Sequence, residues 1–395
     1  MDTRKSPAAT ASHEVLDDFI RDRTASARIP GLALAIVRDG GLLRTRGFGY
    51  ANLAQRRAMQ ADTLINVASL TKTATCTAVM RLWEQEKFGL DDDVNGYLPF
   101  SVRNPLHPRS PLTFRQLLTH TSSIIDGPAY GGSYTCGDSP AVLGSWLRDY
   151  LTAGGTLFDG ERNFHPGEPG GQFRYSNVAY GLLGYLVETL SDMEYADYMR
   201  KKVFAPLGMP HTRYSLDGMD PQLHATAYTF VQDGDFAAVK VRDPAWAPPA
   251  DASDGVQVPH CLYSFATPSD GLARTSAEEL SRLLRAFVNG GELEGERILR
   301  PETVAQILTD QHVAFKNDDG KPSSFRQGLA WRRFDDPEIG TTWRHTGGDP
   351  GVSTLMAFRP EDRRGVVVLT NSSAGHGTAA EIARRVFNDA WEQTE

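Results

Sequence analysis

Ser69 and Lys72 stand three residues apart in "NVASLTKTATCTAVM", where an apolar helical pattern begins. The chain holds 8 Lys against 33 Arg, so an ordinary surface cation here would more often be arginine. The two cations differ in one chemical respect: a desolvated lysine can give up its proton and serve as a base, whereas arginine effectively cannot. If a helix starts near Ser69, positions 69, 72, 76, 79, 80 and 83 share one face. Lys72 then lies in line with Cys76, Val79 and Trp83, an apolar stripe expected to face the core. Burial there favours the neutral amine, which can take the proton of the serine hydroxyl. At a helix N-terminus, Ser69 would also have free N–H groups and the helix dipole to stabilise developing negative charge. About 0.5 S-x-x-K pairs are expected by chance in this composition, so the pair alone is weak evidence.

Two further boxes carry functional groups. Tyr175-Ser176-Asn177 precedes a second helical pattern, in which Gly181 and Gly184 permit close packing. His345-Thr346-Gly347-Gly348 follows a strand pattern and ends in glycines that let backbone approach a ligand. A lone tyrosine is usually core and a His-Thr-Gly-Gly run is usually a strand entering a turn, so neither box is specific alone.

These boxes need elements to hold them. Val15, Leu16, Phe19 and Ile20 mark an amphipathic helix over about 13–26. "LALAIVRDGGLLRTRGFGYANL" reads as a hairpin turning at Asp39-Gly40-Gly41. Residues 69–200 are mostly helical, broken by "DGPAYGGSYTCGD"; residues 240–268, with five prolines, read as a long ordered loop. Ser276 caps a helix that Gly290 ends. "GLAWRRF", "TTWRHTG", "VSTLMAFRP" and "RGVVVLTNS" are strands, followed by a helix from about Thr378 to Trp391 with Ile382, Val386 and Ala390 on one face. Strands at both chain ends with helices between predict an α+β fold: an antiparallel sheet flanked by helices, with a mostly helical lobe inserted. One domain over 1–395 is expected, with an α/β lobe from about 13–85 and 265–395 and a helical lobe from about 86–264.

The three boxes, in this order, resemble the serine β-lactamase superfamily: class C β-lactamases, D-alanyl-D-alanine carboxypeptidases and the esterases built on the same fold. "PGLALAIVRDG", "GFGYANL", "LTFRQLLTHTSSI", "FRYSNVAYGLLGYLVE", "VFAPLGM" and "VVVLTN" look like that family too, over about residues 13–390. The resemblance implies Ser69 as nucleophile and an acyl-enzyme, with Lys72 and Tyr175 handling its proton; which of the two is the base stays open. It implies an oxyanion hole from the N–H groups of Ser69 and Gly348. Asn177 would bond Lys72 or a substrate amide. His345, beside Tyr175 and near any substrate carboxylate, would bind substrate together with Thr346 and Gly347.

One residue departs from the β-lactamase pattern. Most β-lactamases carry lysine where this chain has His345, and histidine is mostly neutral at pH 7. That weakens the β-lactamase reading and favours uncharged esters or amides as donors, with water or an amine or alcohol as acceptor. A carboxypeptidase or a non-catalytic binding module on the same fold are the alternatives. No G-x-S-x-G, HExxH or HxH occurs, so an α/β-hydrolase and a zinc hydrolase are set aside, and no cofactor or metal is expected. The net charge of −8 is spread without basic blocks, which excludes a nucleic-acid face, and no apolar run is long enough to span a membrane. Cys76, Cys136 and Cys261 are widely spaced and odd in number; with no apolar segment near the first residue, they suggest three reduced thiols and a cytoplasmic location. The loops Ile124–Pro140, with Tyr130 and Tyr134, and Arg242–Pro268, with Trp246, are candidates for choosing the acceptor.

Overall fold

The computed structural model describes residues 7–313 and 324–389, with side chains in the first helix described from His13 onward. Strands β1 (Gly31–Arg38) and β2 (Gly41–Asn52) form the expected hairpin. Asp39 (φ 51°) and Gly40 (φ 77°) both take left-handed backbone at its turn, which suits the twist of the strands it joins. The sheet continues with β3 (Arg57–Ala58), then β4 (Arg326–Gln327), β5 (Arg332–Asp336), β6 (Gly340–Asp349), β7 (Val352–Arg359) and β8 (Arg364–Thr370). Its order is β4-β5-β6-β7-β8-β1-β2-β3, with antiparallel neighbours throughout. Pairing of β1 with β8 closes the two chain ends into one sheet, as the distribution of strands in the sequence implies.

The period-2 alternation of β1 builds a core on each face. Leu32, Leu34 and Ile36 pack with Leu16 and Ile20 of α1 (Pro7–Ser26) and with Ile382 and Val386 of the last helix, His376–Asn388. Ala33, Ala35 and Val37 face the larger cluster, which contains the buried stripe of α2 (Thr71–Glu84). Small residues on that side of β1 let helices approach the sheet closely. Cys76, Val79 and Met80 are buried as the helical spacing requires, and Trp83 is half-buried. Ala390 and Trp391, expected on the last helix, lie outside the described residues.

Helix α3 (Asn177–Ser191) shows why its glycines matter. A Cβ on Gly181 would sit 2.5 Å from Thr267 Cγ2, and one on Gly184 would sit 2.2 Å from Ser269 Oγ. Glycine at both positions lets the short helical turn Pro268–Gly271 lie against α3. Thr75 Oγ1 donates to Ser269 O (2.6 Å) and Ala273 N donates to Thr71 Oγ1 (3.0 Å), strapping the same segment to α2.

Two expectations are corrected. Residues 240–268 are not one loop: Val256–Pro259 pairs with Tyr228–Val231, and Tyr263–Ser264 pairs with Thr135–Cys136. Pro259 is tolerated because it ends its strand. The three thiols are not all free either. The ladder at Thr135–Cys136, extended by Gly137 N donating to Leu262 O (2.7 Å), brings Cys136 and Cys261 to a Cα separation of 5.7 Å, and they form a disulfide. Cys76 alone is free, and it is buried. A disulfide across 125 residues suits an oxidising compartment, so the thiol argument for a cytoplasmic location falls. No helix among the described residues is long and apolar enough to cross a membrane.

Candidate active site

Ser69 lies in a single 3-10 turn, Ala68–Leu70, that runs directly into α2. Its predecessor Ala68 has a left-handed backbone (φ 48°), an uncommon conformation for a residue with a Cβ. Two contacts hold the turn: Ala68 N donates to Asn66 Oδ1 (2.9 Å), and Thr354 Oγ1 donates to Val67 O (2.9 Å). Ser69 stays partly exposed while Ala68, Leu70 and Thr71 are buried, so its hydroxyl is what the turn presents.

Lys72 is fully buried, and its Nζ is 2.7 Å from Asn177 Oδ1, 2.6 Å from Asp270 O and 3.0 Å from Ser69 Oγ. The first two are pure acceptors, because Asn177 turns its amide Nδ2 to Asp126 Oδ2 (2.9 Å) and Asp270 contributes its carbonyl. Two protons of Nζ are therefore committed, and its third position points at Ser69. A proton there makes the ammonium, and a lone pair there makes a base aimed at the serine hydroxyl. Tyr175 Oη reaches the same oxygen at 2.8 Å. The Ser69 hydroxyl thus sits between two groups that can carry its proton.

Asn177 is the first residue of α3, and Ser176 caps the helix by accepting from Ala179 N (3.0 Å). The Asp126 carboxylate accepts from Asn177 N (2.9 Å), Val178 N (3.0 Å), Ser176 Oγ (3.1 Å) and Asn177 Nδ2. A negative charge is stabilised at a helix N-terminus, and Asp126 uses that position to fix the side chain that aligns Lys72. Nothing in the sequence around Asp126 marks it for this role.

Strand β6 carries the third box. A Cβ on Gly347 would lie 2.5 Å from Val67 O and 3.0 Å from Ser69 N, so only glycine lets the strand pass this close to the nucleophile. Thr346 and Gly348 are exposed along the strand, and Gly347 is buried against the turn. This places Gly347 beside the amide of Ser69.

His345 is only 2% exposed. Its Nδ1 meets Thr346 O at 2.8 Å, which puts the ring proton on that nitrogen. Burial first, then the nearby cations Arg332 and Lys72, hold it well below the usual histidine range. It is a neutral part of the wall. A second histidine, His120, is held low for the same reasons; its ring lies 4.2 Å from that of Tyr175 and its Nδ1 accepts from Ser176 N (3.1 Å). The guanidinium of Arg332, on β5, lies over the Tyr175 ring at 5.3 Å and over Phe325 at 4.7 Å.

The loop tyrosines each meet a carboxyl. Tyr130 Oη donates to Asp270 Oδ2 (2.6 Å), and Tyr134 Oη donates to Asp349 Oδ1 (2.7 Å). Burial raises Asp270 to about 7 and Asp349 to about 6. Lys240 packs its ammonium 3.7 Å from the Tyr134 ring centroid, whereas Trp246 packs on Phe236 of the turn Phe236–Ala238. Cys76, one turn beyond Lys72, donates to Leu329 O, and burial pushes its thiol far up, which leaves it inert.

The model of the Beta-lactamase family matches residues 16–390. "Protein flp" of Staphylococcus aureus (strain MRSA252) is 24% identical over 360 residues, covering 91% of this chain and 63% of its own length. The chain thus spans under two thirds of that relative. "Penicillin-binding protein 4*" of Bacillus subtilis (strain 168) is 25% identical over 340 residues, covering 84% of this chain and 66% of its own. The solved structure titled "EstCE1, a hydrolase with promiscuous acyltransferase activity" has the same fold, with a TM-score of 0.75 at 22% identity, covering 97% of this chain and 100% of its own.

Proposed function

Since the chain belongs to the Beta-lactamase family, we propose that it is a serine hydrolase or acyltransferase that forms an acyl-enzyme on Ser69 from a small ester or amide. The observation that carries this reading is the Ser69 hydroxyl held between Lys72 Nζ at 3.0 Å and Tyr175 Oη at 2.8 Å. The Lys72–Tyr175 couple takes the hydroxyl proton as Ser69 Oγ bonds to the donor's carbonyl carbon. The N–H groups of Ser69 and Gly348 stabilise the oxyanion, each such donor being worth about 3–4 kcal/mol in the transition state. Collapse expels an alcohol or amine, which leaves with the proton the couple returns. Water, or an acceptor amine or alcohol, then gives its proton to the couple and attacks the ester on Ser69; the acyl C–Oγ bond breaks, the couple returns that proton to Ser69 Oγ, and the acid or the new ester or amide leaves.

A second reading, hydrolysis of an amide that ends in a carboxylate, is favoured by Arg332. His345 gives no cation, but Arg332 lies against Tyr175 with no acidic partner among the described residues. The test is incubation with p-nitrophenyl esters, D-amino-acid amides and nitrocefin, followed by intact mass and peptide mapping. A burst of product with an acyl adduct on Ser69 is expected. Turnover that survives in Ser69→Ala would overturn the reading.

A further inference from the structure

We propose that Asp270 is a positioning residue for acylation: its buried carboxyl, fixed by Tyr130 and Thr267, governs whether Lys72 presents a proton or a lone pair to Ser69. This rests on the reading of Ser69 as nucleophile. Asp270 meets Lys72 through its backbone, with the carbonyl 2.6 Å from Nζ. That same residue carries a side chain that is 1% exposed and bonded only to hydroxyls, Tyr130 Oη at 2.6 Å and Thr267 Oγ1 at 2.9 Å. No arginine or lysine forms an ion pair with it among the described residues. The cation that acts on it is Lys72.

The groups that act on this carboxyl are few. Lys72 approaches from α2, Asp126, Tyr130 and Tyr134 from the 124–140 loop, and Tyr195 from the helix Tyr195–Met199. Burial raises the carboxyl to about 7; Lys72 and the Tyr130 hydrogen bond oppose that rise, and Asp126 adds to it. Asp270 is therefore neutral below about 7 and an anion above it. An anion beside an amine favours the protonated form. Above about 7 a negative charge therefore stands on the residue whose carbonyl bonds Lys72 Nζ, and that charge acts on the amine that faces Ser69. When Asp270 is neutral, Lys72 is freer to accept from Ser69.

The experiment follows Ser69 labelling by a neutral fluorophosphonate from pH 5.5 to 9, read by intact mass in wild type, Asp270→Asn and Tyr130→Phe. Labelling needs no turnover and no knowledge of the substrate. The ratio of Asp270→Asn to wild-type rate should stay near 1 at pH 6 and rise to about 3- to 10-fold at pH 8, the size expected when one nearby charge is removed. Tyr130→Phe removes a donor to the carboxylate, keeps Asp270 protonated to higher pH and should move the same way by a smaller factor; it keeps the test open if Asp270→Asn does not fold. A ratio independent of pH, or superimposed curves with Ser69 labelled in all three, would overturn this inference and leave the nucleophile standing. Absence of label at Ser69 in wild type would remove both.

Discussion

The corner formed by Ser69, Lys72, Tyr175 and Asn177 and the wall formed by Tyr130, Tyr134, Asp270 and Asp349 are both polar and largely buried, yet different bonds hold them. Every member of the corner sits at or near the N-terminus of α2 or α3, and its hydrogen bonds are repeated by capping and backbone contacts. The wall is carried by short turns and a strand end: Tyr130 in the helical turn Pro128–Gly132, Asp270 in Pro268–Gly271, and Asp349 at the end of β6. Its carboxyls are raised toward neutrality by burial, and the disulfide Cys136–Cys261 joins the segments that carry Tyr134 and Tyr263. Asn66 touches both regions: its Oδ1 holds the nucleophile turn, and its Nδ2 lies 3.3 Å from Asp349 Oδ2 and from Tyr263 Oη. The difference suggests a division of labour. Two long helices fix the corner, while the wall depends on short turns tied together by hydrogen bonds and one disulfide.

The largest expected effect breaks the corner. Ser69→Ala should lower kcat/KM on the best ester by about 10³-fold or more with little change in Tm, because the hydroxyl is partly exposed and its loss leaves no cavity. Lys72→Arg should be nearly as damaging. The guanidinium keeps the charge but cannot take a proton, and it cannot fit between Asn177 Oδ1 and Asp270 O without displacing one of them. A Lys72→Arg variant with near-wild-type kcat would reduce Lys72 to an electrostatic support.

Next in size is the staple. Thiol titration in denaturant should find one group, Cys76, before reduction and three after it. Reduction should cost about 3–5 kcal/mol of stability for a loop of this length. If the two regions are independent, the reduced protein at a temperature where it stays folded should still label at Ser69 while its discrimination among donors falls. Three thiols in the unreduced protein would restore the reducing-compartment expectation and leave the wall unstapled.

The same contrast explains what the sequence disclosed. Ser69 and Lys72 are one helical turn apart, Tyr175 and Asn177 are separated by a single residue, and the glycines of β6 sit in a recognisable strand, so local spacing reported the corner. Gly181 and Gly184 even signalled the close approach that brings the Asp270 carbonyl to Lys72. Asp126 and Asp270 gave no signal. Each acts on a residue at least 50 positions away in sequence, and neither is flanked by a pattern that distinguishes it from a surface acid. The disulfide was missed for the same reason: its partners are brought together by a two-residue ladder across 125 positions, and an odd cysteine count argued against pairing. The motif singles out His345, but spacing says nothing about burial, and burial is what keeps that ring neutral.

The smallest effect tests where a substrate carboxylate would be met. His345 is 2% exposed and lies near the cations Lys72 and Arg332, so His345→Lys would bury an unpaired cation beside two others. That variant should lose stability without gaining preference for charged donors, since unpaired burial of a charge is costly. Arg332 is the better placed cation, partly exposed on β5 and stacked on Tyr175. If donors that end in a carboxylate use it, Arg332→Gln should reduce their kcat/KM relative to neutral esters by about 5- to 30-fold, equal to roughly 1–2 kcal/mol for one charge pair in a partly solvated site. Neutral esters serve as the internal control, because loss of packing on Tyr175 would slow both donor classes together. An unchanged ratio would leave Arg332 as a packing residue and return the choice to uncharged esters and amides.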